Sequence, residues 1–209
     1  MNPGTMASLS SVRPPRAPAQ RTEWAERHAE EFLSIPFVSE FVFRNPRTID
    51  GKTEHQVADF LILHNESGIL VQQKCQENPA GRTRLKTDLW ARKNAKAGWF
   101  QLRRGFTRPK DRPAWCDHLR RGRVEFSSGL PPIHHGIVIV EVFQSVDLRP
   151  DAENLPLEYR GVPITYLSVN DFLNLAVILR SVPELIEYLA ASRSLPHPRG
   201  WSRPSLAKS

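Results

Sequence analysis

Two short apolar runs, Gln56 to His64 and Ile69 to Gln76, are separated by Asn65-Glu66-Ser67-Gly68. Runs of this length joined by a short Gly-ended loop predict an antiparallel β-hairpin. Both are too apolar for a solvated sheet edge, so they read as internal strands. Yet Asp59, Gln72 and Lys74 stand within them. Residues two apart on a strand share a face, which groups Gln72 with Lys74. A four-residue loop that pairs His64 with Ile69 sets Asp59 opposite Lys74 and Leu61 opposite Gln72, and opposed residues share a face. A carboxylate, an amide and an ammonium thus converge on one side of two central strands. An internal charge without a partner is costly. The group is therefore either a cross-strand Asp–Lys ion pair or a site.

The remaining pattern builds a sheet around this hairpin. Thr22 is a candidate N-cap for a helix running to Ser34, with Ala25, Ala29, Phe32 and Leu33 as its buried stripe and Glu26 and Glu30 along one edge. Phe37 to Phe43 reads as a strand, and Asn45, Pro46, Asp50 and Gly51 as a loop. Asp88 to Phe106 predicts an amphipathic helix in which Ala91, Ala95, Trp99, Leu102 and Phe106 face inward and Lys96 and Arg103 outward. Arg108 to Pro132 carries no period that assigns it. Gly136 to Phe143 is continuously apolar, as in a central strand covered on both faces, and Pro163 to Leu167 is one more short strand. Helices follow over 170–180 and 181–191, the second with a Ser181–Glu184 capping box. This order predicts an α/β domain with a mixed central sheet flanked by helices. It spans 22–193, between tails 1–21 (basic and Pro-rich) and 194–209 whose composition predicts flexibility.

Charge is distributed unevenly. Residues 82–123 hold fourteen Lys and Arg against Asp88, Asp111 and Asp117, a net +11 that exceeds the +7 of the whole 209-residue chain. Trp90, Trp99 and Trp115 are interleaved with these bases. Such a stretch either neutralises phosphates with a salt-dependent affinity or is a solvated face. Other chemistries are poorly served. Two cysteines, Cys75 and Cys116, make neither a disulfide framework nor a four-thiolate zinc site. Cys116 with His118 lacks the setting of a thiol nucleophile, and His134 and His135 are adjacent on an extended chain and point to opposite faces. There is no Walker loop and no G-x-G-x-x-G. No apolar run approaches a membrane span, and a cytoplasmic protein with a polyanionic partner is the expectation.

The helix with Glu26 and Glu30, the Asp59 strand, the G-I-L-V-Q-Q-K strand and the basic helix K-N-A-K-A-G-W-F-Q-L-R-R-G, in that order, resemble the PD-(D/E)XK nuclease superfamily. This is the fold of many restriction endonucleases and Holliday junction resolvases. The chain is also similar to uncharacterised bacterial nuclease-like proteins. The resemblance implies a restriction-endonuclease-like fold and a Mg²⁺- or Mn²⁺-dependent nuclease acting on DNA rather than RNA, with no membrane partner and with a homodimer among its assemblies. It makes Asp59 the metal carboxylate, puts Gln72 at the acidic position of the motif, gives the Gln73 carbonyl as a further ligand, and has Lys74 position the attacking water. Glu26, or next Glu30, is the assisting helical carboxylate, and Gln101 faces the site. Arg92, Lys93, Lys96, Arg103 and Arg104 hold the nucleic-acid backbone. Gln72 departs from the pattern and leaves the cation one negative charge fewer. Two rival readings follow: a nucleic-acid-binding module on this fold that has lost hydrolysis, and a structural subunit whose basic face meets an acidic protein.

Overall fold

The structure is a computed structural model that describes residues 39–75, 83–107, 111–118, 120–140, 155–179 and 181–192. The expected helix over 22–34 with Glu26 and Glu30, both terminal tails, Arg82, Arg108, Lys110 and the end of the GIVIVEVF run lie outside these residues. After a 3-10 turn, Ser39–Phe41, come β1 (Val42–Asp50), β2 (Thr53–Gln56), β3 (Phe60–His64) and β4 (Ser67–Lys74). The long helix α1 (Arg84–Thr107) is followed by β5 (Ala114–His118), β6 (Gly122–Phe126) and β7 (Ile133–Val140). The described residues close with β8 (Glu158–Tyr159), β9 (Val162–Ser168), α2 (Val169–Ile178) and α3 (Val182–Ser192). The strands form one mixed sheet in the order β6-β5-β1-β3-β4-β7-β9-β8, with β2 paired to β1. β4, β7 and β9 run parallel, and the other pairs are antiparallel. No helix among the described residues is long and apolar enough to cross a membrane.

The mixed α/β architecture agrees with the sequence pattern, but the strand expected over Phe37 to Phe43 starts only at Val42, after the 3-10 turn, and three further details differ. The β3–β4 turn has two residues, Asn65 and Glu66, so His64 pairs with Ser67 and Leu61 with Leu70. Asn65 sits at φ 54°, a left-handed conformation that Asn tolerates better than most side chains. The register is thus two residues tighter than a four-residue loop gives, and an even shift keeps every side chain on its predicted face. Second, Asn45 and Pro46 do not leave the sheet. The β1–β5 ladder shifts register between Arg44 and Arg47, with Asn45 at φ 47°. Proline has no N–H to donate, and a bulge is where a strand can hold one. Third, the unassigned stretch after α1 contains the β5–β6 hairpin, whose short strands lie at one edge of the sheet.

Alternation along β4 and β7 sends side chains into two apolar layers. Leu70 and Val138 join Leu61, Ala91, Ala95, Trp99 and Leu102 beneath α1. Ile69, Val71, Ile137 and Ile139 join Phe172, Val182, Leu185 and Leu189 of α2 and α3 on the opposite face. Burying each such side chain contributes about 1.5–3 kcal/mol relative to exposure. At the head of α2, Ser168 and Asp171 form a reciprocal capping box, and at the head of α3 Ser181 Oγ accepts the Glu184 N–H at 3.3 Å. Gly98 lets α1 descend onto the sheet. A Cβ there would stand 2.6 Å from Val138 Cγ1 and 3.7 Å from Lys74 Cγ. The parity of β4 puts Gln72 and Lys74 on this α1 face.

Candidate active site

Asp59 occupies a gap between β2 and β3, which are two pieces of one broken strand beside β1. The β1 bulge fills the gap: Val57 N–H donates to the Pro46 carbonyl at 2.7 Å, and Asn45 N–H donates to the Asp59 carbonyl at 2.8 Å. Released from a regular ladder, the Asp59 side chain turns toward β4. Gln72 Nε2 donates to Oδ2, and Gln73 N–H donates to the same oxygen at 2.8 Å. Gln56 Nε2 donates to Oδ1 at 3.2 Å and also reaches the Ala58 carbonyl and Asn45 Oδ1. The carboxylate is therefore aimed by an amide and a backbone N–H from β4 and an amide from β2.

The tighter hairpin register corrects one pairing. The ladder ends at Phe60–Val71, where the Asp59 N–H donates to the Val71 carbonyl at 3.2 Å, and the Asp59 side chain meets Gln72 rather than Lys74, which lies one pleat further along the same face. Gln72 is buried at 4% exposure, whereas Asp59, Gln73 and Lys74 are half-buried. Burial pulls the Lys74 ammonium below the ordinary lysine value of 10.5, and the negative charge of Asp59 pulls part of the way back. In an extended strand the N–H and C=O of one residue point to the same neighbour. The Gln73 carbonyl therefore points to the Asp59 side.

Magnesium is held by one or two carboxylates completed by waters and substrate phosphates. Asp59 with the Gln73 carbonyl meets that minimum. Gln72 donates through its amide nitrogen and would join only by turning its oxygen inward. No group of three His, Cys, Asp or Glu occurs among the described residues, and Asp59 is the carboxylate these donors surround.

The basic helix stands above this face. Arg92, Lys93, Lys96, Arg103 and Arg104 are exposed on α1, as the apolar stripe predicted. Gln101 is exposed too. It falls between Gly98, which packs near Lys74, and Gly105, where a Cβ would stand 2.7 Å from the Val57 carbonyl. That helical line runs toward the Asp59–Lys74 face. Four arginines that follow α1 are spent differently. Arg120 and Arg121 pair with Glu40 at 2.5 and 3.0 Å, Arg123 with Glu125 at 3.1 Å, and Arg112 with Asp50. The Arg121 hydrogen bond holds the Glu40 carboxyl below its usual value.

The weaker constellations resolve as structure. Cys116 is fully buried and its thiol is pushed up to about 12, by burial and then by Asp117. His118 Nδ1 accepts the Arg120 and Arg121 N–H groups at 3.2 Å, which leaves Nε2 to donate to the Glu40 carbonyl. His134 is exposed while His135 is buried against Thr165 Oγ1 at 2.8 Å. Cys75 is half-buried. Sequence reasoning misses Asn45, whose left-handed backbone seats Asp59; the Asn-Pro dipeptide is the available signal, and it signals a loop as readily as a bulge. No protein-family model matches the chain, and neither do curated proteins or solved structures.

Proposed function

We propose that this protein is a metal-dependent nuclease of restriction-endonuclease-like fold that hydrolyses phosphodiester bonds, in DNA rather than RNA. One observation carries the reading: Asp59, Gln72 and Lys74 converge on one sheet face, beneath a helix with seven bases and one acid. Structural ion pairing alone accounts poorly for this arrangement, because the nearest partner of Asp59 is an amide and Lys74 is left in a dehydrated place where its charge is disfavoured.

The exposed cations of α1 hold the phosphate backbone over the face. A bound Mg²⁺ or Mn²⁺ supplies Lewis-acid stabilisation of charge on the phosphoryl oxygens. Asp59 and the Gln73 carbonyl are the groups that hold the cation, with Gln72 orienting Asp59 through its amide. Lys74 donates a hydrogen bond to the attacking water and then to the oxygens that gain charge as the P–O bond breaks, where a preorganised donor in a dry site is worth most.

Gln72 also supports a second reading. Its amide neutralises a lone pair of Asp59 where an acid would add charge, which favours a nucleic-acid-binding module without hydrolysis. Incubation with linear, circular, single-stranded and branched DNA, with and without Mg²⁺ or Mn²⁺, separates the two. Cleavage that requires the metal and is lost in Lys74→Ala is the expected result. Salt-dependent binding with no cleavage of any form selects the binding module.

A further inference from the structure

A second concavity adjoins Asp59 on the α1 face. It is a cavity of about 160 Å³ between the C-terminal turn of α1, β1 and β5, and the β8–β9 turn. Val57, Leu70, Phe106 and Tyr159 line it, together with Arg112 and Arg160. Val57 precedes Asp59 by two residues and Leu70 precedes Gln72 by two, so cavity and site lie roughly 7 Å apart along the strands.

Arg160 is out of place as a turn residue. Tyr159 pairs with Val162, and the two residues between them, Arg160 and Gly161, have φ of 53° and 79°. A two-residue turn with positive φ at both positions prefers Asn, Asp or Gly, and a residue with a Cβ pays roughly 1–2 kcal/mol for that conformation. The turn does not call for arginine. Its guanidinium lies over the Tyr159 ring at 5.5 Å. Arg112 lines the opposite side, its guanidinium held by an ion pair with Asp50.

The lining defines the ligand chemistry. An apolar cavity of about 150 Å³ takes one benzene ring, so this one suits a single six-membered ring. Phe106 and Tyr159 stack on each other at 6.4 Å, with Trp99 edge-on to Tyr159 at 5.3 Å, and the ring surface they leave on the cavity wall is what a base can meet; a guanidinium fork binds phosphate. We infer that the cavity receives one pyrimidine nucleotide, its base among Leu70, Phe106 and Tyr159 and its phosphate on Arg160. The inference rests on the nuclease reading only in making this nucleotide part of the strand held at Asp59; a free mononucleotide offers the same chemistry.

The test is calorimetric titration of the full chain without metal. The titrants are thymidine 5′-monophosphate, a short oligothymidylate and an abasic sugar-phosphate chain of equal length. Arg160→Gly is the variant, because glycine suits the turn and should melt at or above the wild-type temperature. The expected result is monophosphate binding that weakens about tenfold in Arg160→Gly, the loss of one charge-assisted hydrogen bond, and oligothymidylate that binds tighter than the abasic chain. Tighter binding of the oligomer than of the monophosphate assigns the nucleotide to a strand, and the reverse assigns it to a free ligand. Equal monophosphate affinity in wild type and Arg160→Gly, or equal affinity for abasic and base-bearing chains, overturns the proposal. If the protein cuts no form of DNA with Mg²⁺ or Mn²⁺ while Arg160→Gly loses the nucleotide, the nuclease assignment falls and the cavity stands.

Discussion

At the scale of single residues, Lys74 is held where its charge is a net cost. Its value in the folded protein lies below 10.5, so between that value and 10.5 the unfolded chain binds more protons and stability rises with pH. Lys74→Met keeps the apolar stem and removes the charge. It should melt at or above the wild-type temperature at neutral pH, lose the rise in stability toward pH 10.5, and cut about 10²–10³-fold more slowly, the usual cost of one transition-state donor. Melting well below wild type would show that Lys74 stabilises the fold instead. The cleavage rate of wild type should fall on the alkaline side at a pH below the ordinary lysine value. On the proposed nuclease reading, in which both residues serve one assembly, Asp59→Asn should be equally inactive and the double variant no worse than either single one. Gln72→Glu sets a second carboxylate against Asp59, and like charges this close resist joint ionisation. Without metal it should melt below wild type. With Mn²⁺ it should gain more than wild type does, because binding to the folded state alone is stabilising. Equal metal-induced shifts would mean no cation sits there.

Secondary-structure elements divide the basic stretch into two parts with different work. α1 carries seven bases and one acid and exposes Lys93, Lys96, Arg103 and Arg104 to solvent. The arginines of the β5–β6 hairpin are tied to Glu40 and Glu125. Charge reversal of those four α1 residues should therefore weaken DNA binding and lower its logarithmic salt slope by up to about 4. Arg120→Ala with Arg121→Ala should leave that slope unchanged and speed hydrogen exchange in β5 and β6. The opposite pattern would place the contact surface on the hairpin. This division also marks what the sequence could reveal. The face of α1 follows from the 3.6-residue period of Ala91, Ala95, Trp99 and Leu102. Strands β3, β4 and β7 follow from apolar runs too short for helices. The pairing of Asp59 with Gln72 does not, because it depends on the left-handed backbone of one residue, Asn65, which shortens the turn. Nor does the pairing of Arg121 with Glu40, where the partners lie 81 residues apart. The bulge at Asn45 and Pro46 was invisible for a related reason: a dipeptide that signals a loop is equally at home where a strand must break.

Across the whole molecule, the two faces of the sheet are unlike. The α2–α3 face is apolar packing, with Leu189 at 1% exposure among Ile137, Ile139 and Val182. The α1 face holds both packing and the side chains of Asp59, Gln72 and Lys74. Substitutions on the two faces should therefore separate stability from activity. Leu189→Ala removes a fully buried side chain and should cost about 2–5 kcal/mol, seen as a lower denaturation midpoint, while cleavage per folded molecule stays at the wild-type rate. Gly98→Ala should do the reverse. Alanine favours the helix by about 1 kcal/mol over glycine, against an overpacking cost of about 1–3 kcal/mol, so the net change in stability is small. Its Cβ, however, would meet Val138 Cγ1 at 2.6 Å. Val138 is fully buried in the central β7 strand and has little room to yield. The helix must lift instead, and Lys74, whose stem packs 3.7 Å from that Cβ, moves with its cover. A displacement of about 1 Å at a reacting centre can cost 10²-fold in rate. A folded Gly98→Ala protein that cuts as wild type does would detach α1 from the chemistry and leave it only the task of holding the backbone.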